Sequence, residues 1–187
     1  MQNQDYQNSI FSLMRLPSKR IGFLVNPIAG MGGPVGLKGT DGSEILKKAI
    51  SLGAEPVAPL RAESFLKELS KFKNNLEVLV GAGEMGEKEA FPLGFKIDIV
   101  GKNKTETSPE DTKAVAERML NLGIEMLVFC GGDGTARDIH EVIGLKIPVL
   151  GVPTGVKMHS AVFAVTPIAA ARVVINFLWS KLPLREA

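Results

Sequence analysis

The chain carries a single cysteine, Cys130, which excludes an internal disulfide framework and points to a reducing compartment. It carries two histidines and no His/Cys spacing suited to a metal, so a zinc site is not expected and no residue is assigned to a metal. It has no surplus of either charge: 22 Lys and Arg against 20 Asp and Glu leave a net +2. That balance gives neither a basic footprint for nucleic acid nor an acidic tail. Residues 1–19 are polar and rich in Gln and Asn, without a continuous apolar stretch, so they are not a secretory signal. They read as a loosely ordered arm, with a short amphipathic piece around Ile10, Phe11, Leu13, Met14 and Leu16. There is no internal repeat, and no low-complexity stretch beyond that arm.

Long apolar runs are also scarce. One, at 161–179, matches a spanning helix in length. It is interrupted by Thr166-Pro167 and by Arg172 near its middle, where an arginine costs about 2.5–3.5 kcal/mol on insertion scales. The local pattern instead predicts a strand at 161–165, Thr166 as N-cap, Pro167 at the first helical position, and a helix. These absences predict a cytoplasmic protein with no nucleic-acid and no membrane partner.

What is present is a chain of 187 residues, 45% hydrophobic and 22% charged, enough for one domain with a real core. Apolar strand-like runs at 21–25, 76–80, 95–100, 126–130 and 147–152 alternate with helical patterns. The best-signalled helix is 108–122, with Ser108 as N-cap, Pro109 next, Asp111 at the third position and Gly123 as the stop. Ala136 to Ile143 is another. Such alternation predicts an α/β fold: a three-layer αβα arrangement around a mostly parallel, Rossmann-like sheet. The domain is expected over 20–182.

Glycine is in excess, 20 residues where average usage near 7% would give about 13. The surplus gathers in turns after the strands, at 26–33, 81–86, 131–134 and 151–155. Ligands of parallel sheets bind beyond the carboxyl ends of the strands. The first turn, from Asn26 through Gly30, Gly32 and Gly33, can serve as a phosphate cradle or as a plain flexible loop. Gly81 to Gly86 formally fits G-x-G-x-x-G, but its following helix is cut short by Pro92 and Gly94. The third turn, Gly131-Gly132-Asp133-Gly134-Thr135, leads from a strand into a helix, whose N-terminus can take a phosphate. Asp133 stands there to orient a hydroxyl or to bind through Mg²⁺, and Thr135 is open to an N-cap reading. In the fourth, Thr154 and Gly155 precede Lys157, open to a phosphate contact, and His159, open to a base or ribose contact, although a lone Lys or His in a loop is more often simply solvated. Cys130 reads as a small strand-end residue and His140 as surface.

NPIAG at 26–30 and GGDGT at 131–135 resemble the superfamily of NAD kinases, diacylglycerol kinases and sphingosine kinases. The longer stretches NPIAGMGGPVGLKGTDG, GEMGE, FCGGDGTARD and GVPTGVKMHSAVFAVTP look most like its prokaryotic, often archaeal, ATP-NAD kinase-like branch. The resemblance covers about 20–187. It implies phosphoryl transfer from ATP or polyphosphate, with Mg²⁺, to the 2′-hydroxyl of NAD. It implies Asp133 as the catalytic or NAD-orienting carboxylate. Gly131, Gly132, Gly134 and Thr135 would lie along the phosphates, and Asn26 and Gly30 would support the same pocket. A kinase of another small-molecule or lipid hydroxyl, and a nucleotide-binding domain without catalysis, stay open as alternatives.

The sequence departs from that pattern in two places. The family's G-x-N-x-G stretch is Gly151-Val152-Pro153-Thr154-Gly155 here, without the Asn. The Asn-Glu or Asn-Asp dipeptide of the family's second, largely β domain does not occur. Residues 183–187 read as the start of a linker to such a domain. In the last helix the polar residues Arg172, Asn176 and Ser180 form one stripe and apolar residues cover the rest. That predicts a second domain or a second subunit, as in a homo-oligomer, over the surface the sheet leaves bare.

Overall fold

The computed structural model describes residues 18–33, 35–37, 43–155, 158–180 and 182–186. The amphipathic piece at 10–16 and Lys157 lie outside the described residues. Among these residues five strands form one sheet: β1 (Lys19–Val25), β2 (Leu76–Gly81), β3 (Lys96–Val100), β4 (Met126–Gly131) and β5 (Val149–Pro153). Their order is β3-β2-β1-β4-β5, and every neighbouring pair is parallel. The order reverses between β1 and β4.

Among the described residues six α-helices accompany the strands: α1 (Ser43–Ser51), α2 (Ala58–Leu69), α3 (Glu87–Ala90), α4 (Pro109–Asn121), α5 (Asp133–Ile143) and α6 (Pro167–Ser180). Side-chain alternation along the strands feeds two cores. Ile21, Phe23, Val78, Val80, Met126, Val128 and Cys130 join α2 and α6 on one face. Leu24, Leu79, Leu127 and Phe129 join α4 and α5 on the other. The three layers follow from strands that are apolar on both sides, as a parallel sheet between helices requires.

Local signals place the helices. Ser108 caps α4 through a reciprocal pair: its hydroxyl accepts from the Asp111 N–H, and the Asp111 carboxylate accepts from the Ser108 N–H. Gly123 follows at φ +78°. Thr166 Oγ1 accepts the Ala169 N–H at 3.1 Å and so caps α6. Among the described residues no helix is long and apolar enough to cross a membrane.

Two expectations change. Residues 161–165 are not a strand: they make only an isolated bridge, Phe163 with Gly151. Gly151 donates to the Val162 carbonyl and accepts from the Ala164 N–H, and the Phe163 ring then turns edge-on to Phe129, 5.4 Å between centroids. The turn from Ser160 to Val162 and the cap at Thr166 leave no room for a longer ladder.

The last helix is also better covered than its composition suggests. α2 runs beside α6 on the same face, Trp179 stacks on Phe72, and Ile175 and Phe177 are half-buried against the core. Ile168, 45% exposed, and Val165, 90% exposed, are the large apolar side chains left in the open from 165 to 179.

Candidate functional site

Because all five strands are parallel, the glycine-rich turns after β1, β2, β4 and β5 emerge on one edge of the sheet. Three of them meet at the order reversal between β1 and β4. The Asn26 N–H continues the ladder to the Cys130 carbonyl at 2.9 Å. The Asn26 amide Nδ2 then donates to Thr135 Oγ1 at 2.9 Å, joining the first turn to the third. Its Oδ1 accepts the Ile28 N–H and tightens the loop.

α5 begins earlier than the periodicity suggests. Gly132 is the N-cap, extended at φ −110°, with no side-chain cap, and Ala136 donates to its carbonyl. Asp133, Gly134 and Thr135 are therefore the first three helical residues, and Thr135 is not the N-cap. The N–H groups of a first helical turn have no intrahelical partner. Here they sit at the positive end of an 11-residue helix dipole. Thr135 itself is buried and packs under Gly131, where an added Cβ would lie 2.6 Å from Oγ1.

Asp133 is not a bare carboxylate. Its Oδ2 accepts the His159 N–H at 3.0 Å, and its Oδ1 accepts the Ser160 N–H at 3.0 Å and shares the His159 N–H at 3.3 Å. So the third turn also holds the segment after the fourth. No spacing in the sequence signals that contact, since the partners are backbone amides 26 and 27 residues away.

Gly30 closes the arrangement. It has φ +83°, and a Cβ built there would overlap the Thr154 carbonyl oxygen. Thr154 is 5% exposed, and its hydroxyl is buried without a partner among the described residues. Gly32 is buried, while Gly33 and Gly155 are exposed. Within the first turn Ala29 donates to Asn26 and Gly33 to Gly30, so those two N–H groups are spent inside the loop.

The remaining candidates separate from this cluster. Gly83 donates to Glu87 Oε2 at 2.7 Å, next to a short α3. A cleft of about 390 Å³ lies there, lined by Gly83, Glu84, Glu87, Lys88, Phe91 and Asn103. It shares no lining residue with the Asp133 cluster, and its carboxylates do not suit a phosphate. Cys130 is buried with its Sγ donating to the Ala58 carbonyl, and burial pushes its thiol pKa up, which suits packing rather than attack. His140 is exposed. Glu89 was not foreseen: it is 5% exposed, Oε2 has no partner among the described residues, and burial pushes its pKa up to about 7.

The described residues contain no group of three His, Cys, Asp or Glu side chains that could hold a metal. Asp133 is the carboxylate at the helix N-terminus. One carboxylate is compatible with a Mg²⁺ ion that keeps most of its ligands from water or phosphate.

These elements define a doubly wound α/β domain with glycine loops and a helix N-terminus at its switch point, the place where sheets of this class commonly bind ligands. Residues 21–179 match the ATP-NAD kinase N-terminal domain family, and the chain belongs to that family. A search among curated proteins found no match.

Proposed function

We propose that this chain is the phosphotransferase domain of an NAD kinase, moving a phosphoryl group from ATP, or polyphosphate, to the 2′-hydroxyl of NAD. The observation that carries the reading is the convergence of three strand-end turns on the first turn of α5, tied through Asn26–Thr135 and Asp133–His159/Ser160. Anion binding suits the free N–H groups of Asp133, Gly134 and Thr135, flanked by Gly131 and Gly132. Asn26, Gly30, Gly32 and Gly33 of the first turn and Thr154 and Gly155 of the fourth would flank that phosphate, and Lys157, outside the described residues, is proposed as a further phosphate ligand.

In the transfer, the 2′-oxygen forms a bond to the terminal phosphorus and the bond from that phosphorus to the bridging oxygen breaks, releasing ADP. The hydroxyl proton goes to an Asp133 oxygen. Mg²⁺ supplies charge neutralisation on the phosphates. The chain's residues position the groups. The reading places the protein in the cytoplasm. It also places a second domain or a second subunit over Ile168 and Val165, the exposed apolar residues at the start of α6.

The test is NADP formation from ATP and NAD, with Asp133→Asn alongside. We expect NADP from the wild type and a loss of at least 100-fold in the variant, the usual size of a lost acid–base group. No NADP from any donor, with or without added partner domains, would refute the transfer. A second reading, nucleotide binding without catalysis, is favoured by the engagement of both Asp133 oxygens by backbone amides. Saturable binding without turnover would select it.

A further inference from the structure

Asp133 sits on the first turn of α5, yet both of its oxygens point to another part of the chain. The His159 N–H reaches Oδ2 at 3.0 Å and the Ser160 N–H reaches Oδ1 at 3.0 Å. From there the chain is fastened on its other side as well. The Ser160 hydroxyl accepts the Val162 N–H, Val162 and Ala164 bond to Gly151 in β5, and Phe163 packs edge-on against Phe129. Residues 158–164 thus form a strap anchored at one end by β5 and at the other by a single carboxylate.

We propose that Asp133, besides facing the ligand hydroxyl, latches this strap to the α5 N-terminus. The latch fixes the segment that carries His159 beside the α5 N-terminus. A carboxylate has about four lone-pair sites, and two N–H donors leave at least one on Oδ2 free. Asp133 therefore keeps the strap in place and still accepts one hydroxyl from a phosphate-bearing ligand. The latch stands on the geometry alone; only the ligand's identity rests on the kinase reading.

Amide hydrogen exchange of the ligand-free wild-type protein tests it. The amides of His159 and Ser160 are expected to exchange at least ten-fold more slowly than their sequence would in an unstructured chain. Asp133→Asn keeps one accepting oxygen but turns an NH₂ toward the other donor. It is expected to speed both amides at least ten-fold while the β4 amides, 126–131, keep their wild-type rates. If Asp133 serves only the ligand, the two amides are unprotected in the wild type, and that result overturns the latch. Equal rates in wild type and a folded Asp133→Asn also overturn it. Should the variant not fold, the wild-type rates decide alone. Failure to bind ATP or NAD with the latch protected would sink the kinase reading and leave the latch standing.

Discussion

Gly30 sits where no side chain fits. Its φ of +83° and its approach to the Thr154 carbonyl both exclude a Cβ. Gly30→Ala is expected to destabilise the fold by about 2 kcal/mol in urea titration, the strain of a left-handed Ala plus displacement of Thr154. An unchanged midpoint would contradict the close approach. Asn26→Ala removes the amide that bonds Thr135 and leaves a buried hydroxyl without that donor. A loss of about 1–2 kcal/mol is expected in the same measurement. Glu89 carries a pH signature. Its folded pKa near 7 lies above its ordinary 4.5 because burial disfavours the charge. Glu63 from α2, Glu84 just before α3, Lys88 within it and the Cys130 thiol of β4 are its titratable surroundings. The folded state holds the proton more tightly, so this group's contribution is fully present below about pH 4.5. It is lost as pH rises to about 7, and flat above. Glu89→Gln is expected to gain about 2 kcal/mol at pH 8, after allowance for solvent screening, and nothing at pH 4. Melting curves that shift in parallel at both pH values would contradict it.

The helices that announce themselves in sequence do so through caps. Ser108 and Asp111 form the reciprocal pair their spacing suggests, and Thr166 caps α6 as its position before Pro167 suggests. Ser108→Ala is expected to cost about 1 kcal/mol by thermal or chemical denaturation, with α4 as the element that frays. The elements that misled are those whose ends depend on distant partners. α5 starts at Asp133 rather than Ala136 because Gly132 can be extended while its carbonyl receives the Ala136 N–H. The apolar run at 161–165 looks like a strand, but Phe163 is fixed by Gly151 and Phe129, and nothing in the local pattern reports those partners. The apolar helix α6 looked underburied because its neighbour, α2, lies about 100 residues earlier in the chain.

At the scale of the molecule, β-α-β alternation made the parallel sheet and its layers legible, since strands apolar on both faces need helices on both. Parallel strands in turn put every strand-end turn on one edge, so the gathering of the glycine turns that make up the candidate site was legible too. What the sequence did not show is how the turns are wired together. The 26–33 and 131–135 turns are joined by a side-chain bond across 109 residues, and the 158–160 segment by backbone amides. Such contacts leave no period and no spacing. Part of the glycine excess, read from composition, resolves into close approaches, between turns where Gly30 meets Thr154 and within one turn where Gly131 meets Thr135.

The central claim is that this edge binds a phosphate-bearing nucleotide at the α5 N-terminus. Isothermal titration of Mg·ATP and of NAD into the folded protein tests it most directly. The account predicts saturable one-to-one binding of at least one of the two, weakened at least ten-fold in Gly30→Ala. Heats of dilution alone for both ligands, from protein shown to be folded, would contradict it.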